Sequence, residues 1–148
     1  MNPPDRQRQR VYDWEDRVVA PLAGPATIDF AAAQGMVDAL WAELGLRFPP
    51  RVEPLPPQAH RRIADADRLR LRLPPQCPAW VLLHELAHAL SSTAEGHSDG
   101  HGPVFMGLYL QLLTRYLRLS EETLLASLAG AGIAVHPGAR PLFLDGAA

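Results

Sequence analysis

The chain has 148 residues, of which 47% are apolar and 20% are charged, and this length and composition suit one domain, residues 1–148, with a core of its own. Its formal net charge of -2 argues against a dedicated nucleic-acid-binding protein, which is usually basic, and its one cysteine, Cys77, excludes an intrachain disulfide and a four-cysteine zinc ribbon. Because no secretory signal follows the N-terminal charges and no run approaches the ~18 apolar residues of a membrane span, we expect a cytoplasmic protein without a membrane partner.

The first predicted element is an amphipathic helix. Val11, Trp14 and Val18 recur at helical spacing between charged residues, which predicts a helix over Asp5–Val19. The segment 21–25, Pro-Leu-Ala-Gly-Pro, is expected to break this helix.

A second helix and an edge strand follow. Asp29 is a candidate N-cap for a helix over Phe30–Leu44, and Gly45 is placed to close it. The segment Phe48–Gln58 contains five prolines. Because proline donates no backbone hydrogen bond, this segment can supply at most an edge strand and turns.

The next pattern predicts a β-hairpin. Its arms are His60–Ala64 and Leu69–Leu73, and residues 65–68 form the expected turn. In the second arm leucine alternates with arginine, as in a strand with one buried and one wet face. The five arginines between residues 61 and 72 could bind phosphate or an acidic substrate. Two aspartates among them dilute that charge, so a solvated strand face is the favoured interpretation.

Three helices are predicted in the second half of the chain. Pro78 suits the first turn of a helix that ends near Ser92 and is apolar nearly all round, so this helix should be buried. A polar loop, Ser91–Gly102, separates it from a helix that begins at a Gly-Pro pair and extends to about Leu119. Ser120 is then a candidate N-cap for a final helix, with two glutamates in its favourable first turn.

The buried helix carries an H-E-x-x-H motif formed by His84, Glu85 and His88. Residues four apart lie on one face of a helix, so His84 and His88 can present their rings to one tetrahedral zinc ion. Glu85 is placed to accept a proton from a water on that zinc, because the metal lowers the pKa of the water towards neutrality. A metal-free, hydrogen-bonded polar cluster is the alternative. Zinc is favoured over it, because two histidines and a glutamate are costly in an apolar helix unless something pairs with them.

The third zinc ligand must come from outside the helix. The extended H-E-x-x-H-x-x-G-x-x-H pattern fails, because Ser91 and Ala94 stand at its glycine and histidine positions. A glutamate ligand on the next helix is excluded, because residues 103–118 contain no acidic side chain. The loop offers His97, Asp99 and His101. We favour His101, directly before the rigid helix start; Asp99 could orient a ligand imidazole, and His97 is more simply a solvated residue.

The motif helix and the loop together resemble the core of the SprT-like (Spartan-type) zinc metalloproteases. The resemblance rests on His84-Glu85-x-x-His88 and Asp99-Gly100-His101-Gly102-Pro103-x-Phe105, and it extends over about Cys77–Leu119. It implies that His84, His88 and His101 hold zinc and that Glu85 is the catalytic base. The chain is also similar to a group of small bacterial proteins described as metallohydrolases. SprT-like proteins usually add a zinc ribbon or DNA-binding segments after this core; with one cysteine in the sequence, we expect neither here.

We therefore expect an α+β domain of the zincin-like class, with helices packed on a small, mostly antiparallel sheet around the buried motif helix. The expected function is zinc-dependent hydrolysis of a peptide or protein substrate, with one zinc ion per chain. Two alternatives stay open: a zinc-binding regulatory or interaction module whose filled cleft has no turnover, and a hydrolase of non-peptide amides or esters. Tyr109, Tyr116 and His136 are candidates to stabilise an oxyanion, although no spacing favours one of them.

Overall fold

The computed structural model of the chain describes residues 2, 4–56 and 64–145. The helices are α1 (Arg8–Trp14), α2 (Ala20–Ala23), α3 (Phe30–Glu43), α4 (Ala79–Leu90), α5 (Pro103–Tyr116), α6 (Glu121–Gly130) and α7 (Leu142–Asp145). A π-helical turn, Glu15–Val19, joins α1 to α2. The strands are β1 (Thr27–Asp29), β2 (Arg51–Pro54), β3 (Asp65–Ala66), β4 (Arg70–Leu73) and β5 (Gln76–Pro78). The fold class is therefore α+β, as the sequence predicts.

The N-terminal helical segment begins at Arg8, three residues later than predicted, and continues past Val19 to Ala23. The chain stays helical through Pro21, which directly follows the π-helical turn. Gly24 ends the segment with φ of 76°, in the left-handed region that favours glycine. The predicted apolar stripe faces the core, since Val11 and Trp14 are buried and Val18 is half-buried.

Helix α3 begins at Phe30 as predicted, but Asp29 does not cap it with its side chain. The Asp29 carboxylate accepts a hydrogen bond from the Gln76 side chain on β5 instead. Pairing of β1 with β5 brings Asp29 directly opposite Gln76, which explains why the tertiary contact replaces the local one. Gly45 adopts φ of 77° just after the helix, as expected of a closing glycine.

The strands form two small sheets, not one mostly antiparallel sheet. β1 and β5 form an antiparallel pair. The second sheet has the order β2-β4-β3, in which β2 is parallel to β4 and β3 is antiparallel to it. The predicted edge position of the proline-rich β2 is confirmed. Its parallel pairing could not be read from the sequence, because it depends on how the chain returns to the sheet after residue 56.

The predicted antiparallel hairpin is confirmed, but its turn lies further along the chain than predicted. Asp65 and Ala66 belong to a strand, and the turn follows at Asp67, whose carboxylate accepts from the backbone N–H groups of Leu69 and Arg70. Such an aspartate turn fixes the reversal two residues later than expected. Leu69 therefore lies in the turn and is 53% exposed, whereas Leu71 and Leu73 are buried. Residues 60–63 of the predicted first arm lie outside the described residues.

The arginines of this region follow the solvated-face interpretation only in part. Arg70 is exposed, and Arg72 is half-buried with a guanidinium nitrogen 3.8 Å from an Asp65 carboxylate oxygen. Arg68 instead stacks over the rings of Trp41 and Phe143, at 4.8 and 4.5 Å from their centroids. Arginines 61 and 62 lie outside the described residues.

Helix α4 occupies the middle of one continuous apolar core and packs against α5. The chain leaves α5 at Tyr116, earlier than predicted, because Arg118 adopts a left-handed φ of 56°. Ser120 caps α6, as predicted, by accepting a hydrogen bond from the Thr123 N–H at 3.2 Å. None of the helices in the described ranges has both the length and the apolar character that crossing a membrane requires.

Candidate metal centre

Three histidines converge beside the buried helix. His84 and His88 lie one turn apart on α4, and His101 ends the loop before α5. One ring nitrogen from each can be chosen so that all three lie within 4.8 Å of one another. His84 and His101 are only 5% and 6% exposed, and His88 is half-buried. The structure thus brings together the three residues predicted as metal ligands.

The loop places His101 because the start of α5 is tightly fixed. The Asp99 carboxylate accepts hydrogen bonds from the backbone N–H groups of Val104 (2.8 Å) and Phe105 (3.3 Å), two of the donors that a helix start leaves unpaired. A larger residue at Gly102 would disturb these contacts, because a Cβ atom there would lie 2.5 Å from an Asp99 carboxylate oxygen. The prediction that Asp99 orients an imidazole is wrong, since its oxygens are used at the helix end.

Two carboxylates that the sequence did not predict contact the Nδ1 atoms of His84 and His101. Nδ1 of His84 lies 2.5 Å from a Glu15 oxygen, and Nδ1 of His101 lies 2.7 Å from an Asp5 oxygen. A histidine that donates its Nδ1 proton to a carboxylate keeps its Nε2 lone pair free for a metal. The two Nε2 atoms of His84 and His88 lie 3.2 Å apart, which places them on the same side of the cluster.

Glu15 stands in the π-helical turn and is only 3% exposed. Its carboxylate also accepts a hydrogen bond from the Tyr109 hydroxyl at 2.7 Å. Burial, reinforced by Glu15, holds the pKa of Tyr109 well above its ordinary value, so this phenol stays protonated and donates. Tyr109 is therefore engaged with Glu15 and is not placed to stabilise an oxyanion.

The electrostatics of the cluster favour neutral imidazoles at two positions. Burial, with the neighbouring rings of His84 and His101, holds the pKa of His88 well below its ordinary value. Burial also lowers the pKa of His101, against the hydrogen bond with Asp5. At His84 burial acts in the same direction, but Glu15 and Glu85 outweigh it and raise the pKa. Neutral imidazole is the form that binds a metal.

The donor set fits a zinc ion. Nε2 of His101 is buried without a hydrogen-bond partner, and a buried polar atom without a partner is costly. A metal between the three rings would satisfy it. Three imidazole nitrogens are also the protein ligands of one familiar class of catalytic zinc site, which keeps its fourth position open.

A cleft of about 560 Å³ opens onto the histidine cluster. Glu85, which is 5% exposed, lines it beside His84, and Tyr12 and Trp80 contribute aromatic walls. Strand β3 forms part of the rim. The predicted base and the predicted ligands therefore face one space.

The remaining sequence candidates lie elsewhere. His97 is exposed, as its interpretation as a solvated loop residue predicts. Among the described residues that line the cleft, neither Tyr116 nor His136 occurs. Tyr12 is a tyrosine that does line the cleft, and its ring centroid is 5.1 Å from that of His101.

Comparison with known proteins gives no neighbour. No protein-family model, no curated protein and no solved structure matches the chain. What can be said about function therefore depends on the residues of the cleft and on the sequence motif.

Proposed function

We propose that the protein is a zinc-dependent metallopeptidase of the SprT-like, zincin-like type, with His84, His88 and His101 as zinc ligands and Glu85 as general base. One observation carries the proposal. Three imidazoles meet at the floor of a cleft, and the buried Nε2 of His101 has no hydrogen-bond partner. Hydrogen bonds from Nδ1 to carboxylates support two of the rings in a metal-binding orientation.

The chemistry divides between the metal and Glu85. Zinc at this position would polarise a carbonyl and lower the pKa of a water towards neutrality. Glu85 follows His84 on α4 and shares its cleft, so its carboxylate is placed to take a proton from the attacking water. The same carboxyl then donates that proton to the leaving amine, which completes hydrolysis without another acid.

The rim of the cleft supports a peptide as substrate. Residues 64–67, including β3, line the cleft, and β3 pairs with β4. A strand that borders a cleft can receive an extended peptide by β-addition, in which backbone N–H and C=O groups of the peptide pair with the sheet. A small ester has no such backbone to pair.

Replacement of Glu85 tests the proposal. Glu85→Gln should keep zinc affinity within about threefold and lower turnover of unfolded protein and quenched peptide libraries by about 10²–10⁴-fold, the usual contribution of a general base. Glu43→Gln, at an exposed glutamate on α3, is the matched control and should leave turnover unchanged.

Three results would each contradict the proposal. Unchanged turnover in Glu85→Gln would remove Glu85 as the base. Faster turnover of amides or esters than of peptides would identify a non-peptide hydrolase. Zinc binding with no turnover on any of these substrates would identify a binding module.

A further inference from the structure

The loop that carries His101 is held by residues at the start of the chain. The Asn2 side chain donates to the Gly96 carbonyl at 2.9 Å and accepts from the Ser98 N–H at 3.0 Å. The Gln7 side chain donates to the His101 carbonyl at 2.9 Å. We call Asn2, Asp5 and Gln7 the N-terminal clasp. These contacts join residues about ninety positions apart in sequence, so the loop conformation depends on a distant segment.

Asp5 is the clasp residue that contacts the imidazole ring of His101, and it uses both carboxylate oxygens. One oxygen accepts from the backbone N–H of His101 at 3.1 Å, and the other lies 2.7 Å from Nδ1 of its ring. The Asp5 carboxylate therefore fixes both the backbone and the side chain of His101. Removing the charge would free at least one of these contacts, and moving the carboxylate would free both.

The loop is shaped to admit this carboxylate. Gly100 has φ of 64°, and a Cβ atom there would lie 2.7 Å from Cγ and Oδ2 of Asp5. Glycine at position 100 thus allows the close approach of Asp5 to the residue that precedes the ligand. This is a second, independent sign that the contact is built into the loop.

His101 needs such a contact more than the other two histidines do. His84 and His88 are carried by the backbone of α4, which fixes their spacing, whereas His101 precedes α5 at the end of a twelve-residue loop. A neutral imidazole also has two tautomers, and only the one with its proton on Nδ1 leaves Nε2 free. Asp5 accepts a hydrogen bond from this Nδ1–H group, which selects this tautomer and holds the ring against rotation.

We propose that Asp5 is a positioning residue of the metal centre, and that the N-terminal clasp makes the third ligand available. This inference rests on the proposed zinc site. The residues of the clasp lie outside the H-E-x-x-H motif, and the inference gives them control over the zinc affinity of the site.

Asp5→Asn tests the proposal by zinc affinity, measured by competition with a chromophoric chelator. Asparagine keeps the shape but loses the charge and one acceptor, so the zinc Kd should rise about 10–100-fold, as for other residues that support a ligand histidine. Asp13→Asn is the matched control, because Asp13 is an exposed aspartate on the following helix, α1, and its carboxylate accepts a hydrogen bond from Gln9. It should leave the Kd within twofold of that of the parent protein.

A second variant keeps the charge and moves the carboxylate. Gly100→Ala should weaken zinc binding in the same direction, because its methyl group would lie 2.7 Å from Cγ and Oδ2 of Asp5 and push the carboxylate away. The double variant should be much less than additive, since both changes break one contact. The visible spectrum of the cobalt-substituted protein should change in Asp5→Asn and Gly100→Ala and not in Asp13→Asn, which separates ligand positioning from general destabilisation.

Each outcome has a distinct meaning. Unchanged zinc Kd and cobalt spectrum in Asp5→Asn overturn this inference alone, provided that the parent protein binds zinc and hydrolyses peptides. Weaker binding in that variant together with a parent protein that binds zinc but hydrolyses nothing supports the clasp and overturns the peptidase. A parent protein that binds no zinc overturns both.

Discussion

Gly107 in the middle of α5 allows the C-terminal segment to approach the helix. A Cβ atom at this position would lie 1.8 Å from the carbonyl oxygen of His136 and 2.9 Å from Cβ of Ala139. That carbonyl is itself fixed, because it accepts a hydrogen bond from the Ala139 N–H at 3.0 Å. Gly107→Ala therefore forces the backbone at His136 away from the backbone of α5, and no side-chain rotation can relieve the contact.

The size of the effect follows from two opposing contributions. Alanine is favoured over glycine inside a helix by about 1 kcal/mol. Overpacking of a filled site costs about 1–3 kcal/mol and more where backbone must move. Displacing the segment would also disturb the two 2.9 Å hydrogen bonds from the Gln111 side chain to the carbonyls of Pro137 and Ala139. With about 2 kcal/mol for overpacking and about 1 kcal/mol for each of the two hydrogen bonds, less about 1 kcal/mol for helix propensity, we expect a net loss of about 3 kcal/mol in the free energy of unfolding.

Gly35→Ala is the matched control in the same protein. Gly35 is exposed on α3, and a Cβ atom there would meet no atom within 4 Å. This substitution should stabilise the protein by about 0.5–1 kcal/mol. Urea unfolding followed by circular dichroism, with equal m-values, gives both numbers. Gly107→Ala as stable as the parent protein would refute the packing of residues 136–139 on α5.

Three further predictions concern single residues. His101→Ala should weaken zinc binding far more than His97→Ala in a chelator competition, because only His101 belongs to the cluster; the opposite ranking would identify a different ligand. Cys77 should resist iodoacetamide at neutral pH while the protein is folded and react once it is denatured, because burial, with the Glu85 charge, raises the pKa of the thiol to about 12; labelling of the folded protein in an intact-mass measurement would contradict this. Ser120→Ala should lower the free energy of unfolding by about 1 kcal/mol, because it removes the cap of α6; no change in the urea midpoint would show that the cap contributes nothing.

Local patterns predict the elements that build most of the site. The apolar period of α4, the Gly-Pro start of α5 and the serine cap of α6 all depend on neighbours within one or two helical turns. The motif spacing likewise identifies His84 and His88, because four residues along a helix set their geometry whatever the rest of the fold.

Contacts between distant segments could not be predicted from the sequence. Asp5 lies 96 positions from His101 and Glu15 lies 69 positions from His84, and no spacing rule joins such pairs. Glu15 did leave a signal, because it stands four residues after Val11 on the apolar stripe of the first helix, where a charge is unexpected. Asp5 left none. The parallel pairing of β2 with β4 was missed for the same reason, since a sheet partner is set by the path of the chain.

A crystal structure of the zinc-soaked protein, with anomalous scattering at the zinc edge, tests the central claim most directly. We predict one ion per chain, about 2.0–2.1 Å from Nε2 of His84, His88 and His101. The two supporting carboxylates, Asp5 and Glu15, should remain on the Nδ1 atoms. No anomalous peak between the three rings, or an ion bound without His101, would contradict the account.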